Sequence, residues 1–338
     1  MSDPLAHRKV HALPPAGTLS LAPEAWPALM IRAGASAQER FLEFFAATIR
    51  NPNTRAAYFR AVCRFFKWAD ERHLELEEIR PVHVAAYVEM FGNEEQEDGS
   101  KFSPPTIKQH LAGIKMLFDY LVTGQIVPFN PAAAVRGPRY STKRGKTPVL
   151  TAEEAKELIN SIDVSNVIGL RDRALIGLML YSFSRVSAVV GMRVTDVFMQ
   201  GKRTWIRLAE KGGKNHEVPV HHIAEEYLDA YLEAAGFQKS PNSPLWRTTR
   251  GRSQQLTAKG MSRVDAYCMI RRRAAKAGID AAVCNHTFRA TGITVFLENG
   301  GAIETAAQIA AHESPRTTKL YDRRADKIAL EEIERIKL

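Results

Sequence analysis

Five residues in the second half of the chain stand out by type and spacing. Tyr321 lies in TTKLYDRR (317–324), a stretch where Lys319, Arg323 and Arg324 surround a phenol and Asp322 is the sole acid. Most tyrosines are packing residues with a polar tip, so the cationic setting raises a question that the octet alone does not answer. Nine residues earlier, His312 sits in AAHES, where small neighbours permit close backbone approach. His286 and Arg289, in HTFR, are i and i+3 and share one helical face. If that helix starts near His286, its free N–H groups favour an anion at the same place. Arg185 follows an almost wholly apolar helix and precedes Val186, Val189 and Val190. A cation in such surroundings needs a partner, because a buried unpaired charge is costly. Asp172 or Asp196 can provide a structural salt bridge; an incoming phosphate can also serve. What these residues offer together is a place for an anion such as a phosphate.

The elements that must position them are mostly helical. Residues 1–35, rich in Pro and Ala, read as a loosely ordered arm. From Ser36 a helical unit runs to 135. Phe41, Phe44 and Phe45 repeat at helical spacing, and a second helix follows the Asn51–Asn53 turn. Its polar side carries Arg60, Arg64 and Lys67. A short helix over 81–91, the acidic loop 93–100 and a helix after Pro104 and Pro105 complete the unit. Lys108 and Lys115 lie two turns apart on that last helix. Such rows can be ordinary solvated faces, but two rows of one sign in one unit suit a surface that tracks phosphates.

Residues 136–150 form a basic linker; Arg139, Lys143 and Arg144 are placed to follow a DNA backbone. Thr151 then opens a helix as TAEE, with a good N-cap and acids in the first turn. Within the second unit, 151–325, RTWIRLAEKGGKNHEVPV (203–220) reads as a hairpin, alternating over Trp205, Arg207 and Ala209 and turning at Gly212–Gly213. Ser314 and Pro315 begin a new helix expected to carry Tyr321. The terminal segment 326–338 is read as an amphipathic tail helix.

Composition agrees with a nucleic-acid partner. Length suggests about two domains, and a net charge of +10 favours polyanions. Cys63, Cys268 and Cys284 form no close pair, which argues against a disulfide framework and for a reducing compartment. No signal peptide or membrane-length apolar run is evident, so the expected location is a bacterial cytoplasm, with the nucleoid, and no membrane. His216, His221 and His222 could suggest a metal site, and Cys284 a thiol nucleophile; neither is favoured.

The ordered series Arg185, Lys211, His286-x-x-Arg289, His312 and Tyr321, with the lysine in a hairpin, resembles the active-site signature of the tyrosine recombinases, or phage integrase family, over about 37–325. Within that family it is most similar to the compact, Xer-like integrases. The resemblance implies a mainly α protein: an N-terminal helical, SAM-like core-binding domain and a mixed α/β catalytic domain with a small antiparallel sheet. It implies Tyr321 as nucleophile, Arg185 and Arg289 as phosphate clamps, Lys211 as general acid, His286 as proton acceptor or phosphate ligand, and His312 as a phosphate hydrogen-bond donor. No metal and no cofactor is implied. The partners are double-stranded DNA with paired inverted core sites and further copies of the chain, forming a tetramer on DNA. The expected function is site-specific recombination through a 3′-phosphotyrosyl intermediate and a Holliday junction. A type IB topoisomerase-like activity and a non-catalytic DNA-binding relative are the alternatives. The chain departs from the family pattern twice: Ala188 stands where an acid usually follows the first arginine by three residues, and Ala311 stands where Gly usually precedes the second histidine.

Overall fold

The computed structural model describes residues 26–141, 145, 147–210, 213–237, 240–251, 253–279 and 282–322. The chain divides into two compact units, Met1–Ser141 and Thr142–Leu338.

The described part of the first unit is built on five α-helices: α1 (Ala28–Arg32), α2 (Ala35–Glu43), α3 (Pro52–Asp70), α4 (Pro81–Asn93) and α5 (Pro104–Thr123). A π-helical turn, Phe44–Thr48, continues α2. Local chemistry sets the starts. Asn51 Oδ1 accepts from the amides of Asn53 and Thr54, and Pro52 occupies the first helical position. Ser103 caps α5 through the Thr106 amide, ahead of Pro104 and Pro105. The core is aromatic. Phe41, Phe44, Phe45, Phe65, Phe66 and Phe118 are fully buried, each removal of such a ring from water contributing about 2 kcal/mol. Edge-to-face pairs such as Phe44 with Phe45, 4.8 Å between centroids, fill the space between helices.

The arm expected over 1–35 is not loose at its end. Leu29 and Met30 on α1 are fully buried in this core. The Pro- and Ala-rich surroundings hid a two-residue apolar anchor in a helix too short to show a period.

The second unit opens with α6 (Ala152–Asn160), held by a reciprocal cap between Thr151 and Glu154. Then follow α7 (Val167–Tyr181), α8 (Val186–Val190), β1 (Val197–Gln200), β2 (Arg203–Ala209), β3 (Asn215–Pro219), α9 (His222–Ala235), β4 (Arg247–Thr249), β5 (Leu256–Gly260), α10 (Arg263–Lys276), α11 (Asn285–Glu298), α12 (Ile303–Ile309) and α13 (Pro315–Lys319). The strands β1, β2 and β3 form an antiparallel sheet in that order, and β4 pairs with β5. The hairpin of β2 and β3 was legible in sequence; β1 and the β4–β5 pair were not. The phase of β2 also differs from the one read there. Thr204, Ile206 and Leu208 point inward, and Arg207 lies on the outer face with Glu217 at 2.9 Å.

Helix α7 is buried around most of its circumference, which explains its unbroken apolar run. The charges on it form a separate structural net. Asp172 accepts from Arg171 on one oxygen (2.6 Å) and from Arg273 of α10 on the other (2.6 Å). Arg171 also donates to the Arg247 carbonyl at 2.7 Å. Asp172 is therefore not the partner of Arg185. Nor is Asp196, which accepts from the Arg193 amide at a turn.

Candidate active site

Four elements of the second unit bring the predicted residues together. Arg185 is the N-cap residue of α8, two residues beyond a backbone reversal at Phe183, whose φ is +52°. A bulky residue in the left-handed region is unusual and costs energy. Here that conformation turns the Phe183 carbonyl onto Arg289, which donates to it from Nη1. Arg289 is 2% exposed and donates from Nη2 to the Ala310 carbonyl at 2.7 Å. One guanidinium thus ties the ends of α7 and α12, satisfying carbonyls that those helix termini leave open. Two of its five N–H groups are so used, and the Tyr321 phenol is a further side-chain partner of this guanidinium.

His312 is placed by the end of α12. Its amide donates to the Ala307 carbonyl at 2.9 Å, and the Ala311 amide donates to that of Gln308 at 3.0 Å. This is a Schellman motif. It requires a left-handed residue at position 311, and Ala311 has φ +48°. Glycine does this freely; alanine does it under strain.

Tyr321 lies two residues past the end of α13 rather than on the helix expected to carry it. Its carbonyl accepts from Thr294 of α11 at 3.1 Å, and its amide donates to the Thr318 carbonyl at 2.9 Å. The preceding residue, Leu320, accepts at its carbonyl from the Gly145 amide at 2.9 Å. The Tyr321 ring stacks nearly parallel to that of His312, 8° between planes and 6.0 Å between centroids. The other side of His312 is fixed by Thr318, Oγ1 to Nδ1 2.8 Å.

Helix α11 seats the group as a whole. A Cβ on Gly292 would stand 2.1 Å from the Leu180 carbonyl oxygen, so only glycine lets α11 approach α7 this closely. His286, at the first turn of α11, is part-exposed.

The electrostatics follow from this crowding of cations. Burial, then the Arg289 and Arg185 guanidiniums, lower the His312 pKa to about 4. The same three causes, in the same order, lower that of His286. Both imidazoles are neutral at pH 7. Burial and Arg185 bring Arg289 down to about 10, against the opposing effect of the Tyr321 phenol and Glu210. Arg289 remains charged. An anion entering between the guanidiniums would relieve all of these strains at once.

Sequence reasoning missed Glu210. Its side chain is 6% exposed, and Arg185 Nη1 lies 2.5 Å from its Oε2. It continues the inward phase of Thr204, Ile206 and Leu208, so an acid at an inward position was the available signal. Lys211 itself lies outside the described residues, as do Lys143 and Arg144. The histidines weighed as metal ligands have other contacts. His216 Nε2 meets the Ile309 carbonyl at 3.0 Å, and His221 stacks on Tyr181 and accepts from the Ile223 amide. Among the described residues, no group of His, Cys, Asp and Glu is arranged to hold a metal ion.

In the first unit, Arg60, Lys67, Lys108 and Arg139 are exposed. Arg64 is turned inward, paired with Glu94 and set 4.7 Å over Phe91. Lys115 donates to the Ala133 carbonyl at 3.2 Å.

Comparison with known proteins gives this geometry its context. The pattern described as "Phage integrase family" matches residues 148–327, more than half of the 338-residue chain. The chain belongs to the phage integrase family. It is a tyrosine recombinase, an enzyme of site-specific recombination that cuts and rejoins DNA. The pattern "Phage integrase, N-terminal SAM-like domain" matches 38–126, within the first unit of the recombinase. Tyrosine recombinase XerC of Chlamydia muridarum is 30% identical over 223 residues, 65% of this chain and 67% of that one. Among solved structures, XerH bound to palindromic difH substrate in a post-cleavage complex superposes with a TM-score of 0.69 at 18% identity, covering 90% of this chain and 85% of that one. A lambda integrase tetramer bound to a Holliday junction gives 0.61 at 19% identity, covering 86% and 78%. These likenesses establish the fold of the recombinase: mainly α, with a SAM-like N-terminal domain and small antiparallel sheets beside the catalytic helices. No helix among its described residues is long and apolar enough to cross a membrane.

Proposed function

We propose that Tyr321 is the nucleophile of this recombinase and that Arg185, Lys211, His286, Arg289 and His312 complete its catalytic set. The observation that carries the reading is the Tyr321 ring stacked on His312 beside the buried Arg289. In the forward step the Tyr321 oxygen attacks the scissile phosphorus and gives its proton to neutral His286. The phosphorus–O5′ bond breaks, its electron pair passes to O5′, and Lys211 protonates that oxygen. A 3′-phosphotyrosyl bond and a free 5′-hydroxyl result. Arg185 and Arg289 bind the non-bridging oxygens as charge accumulates there. His312, with Nδ1 held by the Thr318 hydroxyl, offers its Nε2–H to the same phosphate.

Residues 36–135 act as a core-binding domain and 151–325 as the catalytic domain, with 136–150 lying along the DNA between them. Arg60, Lys67, Lys108 and Arg139 are the backbone contacts best supported by their exposure. The substrate is double-stranded DNA with paired inverted core sites, joined by a tetramer that passes through a Holliday junction. The lambda integrase tetramer on such a junction supports this assembly. The enzyme works where the chromosome is, in the cytoplasm.

The test uses a nicked duplex that lets the 5′-hydroxyl fragment escape. The wild type should accumulate a covalent protein–DNA adduct whose linked peptide contains Tyr321. Tyr321→Phe should bind the same DNA and form none. An adduct persisting in Tyr321→Phe would place the nucleophile elsewhere.

A further inference from the structure

We propose that Thr294 is a positioning residue for strand cleavage: its hydroxyl, donated to the Tyr321 carbonyl, holds the backbone at the root of the nucleophile to the helix that carries Arg289. This rests on the roles given above for Tyr321 and Arg289.

Three observations lead there. The first is the bond itself. A threonine inside a helix can return its hydroxyl to the carbonyl one turn back. Thr294 of α11, 3% exposed, donates to the Tyr321 carbonyl instead, 27 residues away in sequence, at 3.1 Å. The second is the slightness of the element that delivers Tyr321. Helix α13 has five residues, Pro315–Lys319, too few to be rigid without outside contacts. Tyr321 lies beyond its end, where its amide reaches back to the Thr318 carbonyl at 2.9 Å. That bond closes a turn, but it ties Tyr321 only to its own short segment. The third is the firmness of the element across the bond. Helix α11 runs for 14 residues, Asn285–Glu298, and every residue from Thr287 to Thr294 is buried. Thr294 follows Arg289 on this rod, about 7.5 Å further along its axis.

The other contacts of Tyr321 act on its side chain. The ring lies against His312, 6.0 Å between centroids. It packs on the cluster that contains Phe183, Ile293 and Leu297, and the phenol partners Arg289. Those contacts hold the face and the tip of the ring, while Thr294 holds its root. The root matters because the reacting oxygen stands at the far end of a long side chain. A small backbone rotation becomes a displacement on the order of 1 Å at that oxygen, enough to cost about a hundredfold in rate. The bond from Thr294 places the nucleophile and a phosphate clamp on one rigid helix. The line of attack is then set by α11 rather than by the short helix before Tyr321.

Adduct formation on the nicked duplex is compared at saturating protein in the wild type, Thr294→Val and Thr294→Ser. Valine keeps the branched shape without the donor. Thr294→Val should form adduct about tenfold more slowly or worse, the scale of a lost hydrogen bond with some misplacement. Its affinity for DNA should stay within about twofold of wild type, since no ground-state contact to DNA is removed. Thr294→Ser keeps the donor and should form adduct within about threefold of wild type. A second reaction, which needs the clamps but not the nucleophile, separates positioning of Tyr321 from damage to α11. A duplex carries a 3′-(p-nitrophenyl) phosphate beside a free 5′-hydroxyl. The 5′ oxygen attacks phosphorus and loses its proton to solvent; the bond to nitrophenolate breaks with its electron pair, and the released nitrophenolate is read by absorbance. In a Tyr321→Ala background, which leaves room for that group, adding Thr294→Val should change the joining rate by less than about twofold. Unchanged adduct formation in a folded, DNA-binding Thr294→Val overturns the proposal. So does equal slowing of adduct formation and joining, or a Thr294→Ser as slow as Thr294→Val. Should Thr294→Val fail to fold, Thr294→Ala replaces it against Thr294→Ser with the same expectations. A wild type that forms no adduct at Tyr321 sinks the role given to that residue, and this proposal with it. A Tyr321→Ala protein that joins no strands counts against the clamps Arg185 and Arg289 alone, and the adduct comparison of valine with serine then decides for Thr294.

Discussion

Arg289 donates to the carbonyl of Ala310, and the next residue, Ala311, is held at φ +48°. The buried arginine thus fastens the turn that delivers His312, and it does so through a residue that strains to make that turn. The motif needs a left-handed backbone, not a methyl group. Ala311→Gly should therefore stabilise the protein by about 0.5–1 kcal/mol, the relief of left-handed strain less the extra freedom glycine has when unfolded. Cleavage should change little. Urea denaturation of the two proteins checks this; a destabilised Ala311→Gly would mean the methyl contributes packing that outweighs the strain.

Gly292 makes the opposite case. Its missing side chain is where the Leu180 carbonyl passes, and a Cβ would also stand 2.8 Å from the Phe183 ring. Gly292→Ala has to push α11 away from α7, at about 3 kcal/mol on the scale of overpacked cores. The shift pulls Arg289 off the Phe183 carbonyl. Cleavage should fall by more than about tenfold, the factor that 1.4 kcal/mol represents, while DNA binding through the first unit persists. Wild-type cleavage in Gly292→Ala would show that this contact tolerates movement.

His312 gives the protein a pH signature. Its folded pKa of about 4 lies below the usual 6.5, so between these values the unfolded chain binds the additional proton. Stability from this group is complete above pH 6.5 and is lost as pH falls towards 4. His286, shifted in the same direction, adds to the trend. The loss attributable to His312 should be on the order of 1–2 kcal/mol after allowance for solvent screening of a part-exposed ring. His312→Gln should flatten the dependence. Denaturant midpoints from pH 4 to 8 measure it, and parallel curves for the two proteins would refute the assignment.

Cleavage should also proceed in EDTA. Two guanidiniums supply the charge neutralisation that a divalent ion would otherwise provide. The adduct assay on nicked DNA, with and without chelator, is the check. Loss of the chemical step while DNA binding survives would contradict the proposed roles of Arg185 and Arg289.

Much of this arrangement could be read in the sequence, for identifiable reasons. The helices of the first unit announced themselves through Phe spacing, the Asn51–Asn53 turn and the Pro104–Pro105 pair, and the first helix of the second unit through its cap at Thr151. Tyr321, His312, Arg289 and Arg185 were visible because each is an odd residue for its setting. What stayed hidden depended on contacts between distant segments. The Arg185 partner was sought at Asp172 and Asp196, yet it came from Glu210, just past the end of β2. The alternation noted at Trp205, Arg207 and Ala209 proved to be the outer phase of β2, and Glu210, in phase with the inward Thr204, Ile206 and Leu208, was not weighed. The strain at Phe183 and Ala311 has no period and no composition; it follows from helix ends that meet at Arg289. Strands of three or four residues, such as β1 and β4, are too short to show alternation.

The bond from the Gly145 amide to the Leu320 carbonyl has a mechanical consequence. Gly145 lies within the basic stretch that leads into the second unit, and Leu320 immediately precedes Tyr321, the proposed nucleophile. A Cβ on Gly145 would lie 3.1 Å from that carbonyl, so the two strands of chain are in close register. A displacement at residue 145 would therefore reach the residue before Tyr321 through a single hydrogen bond.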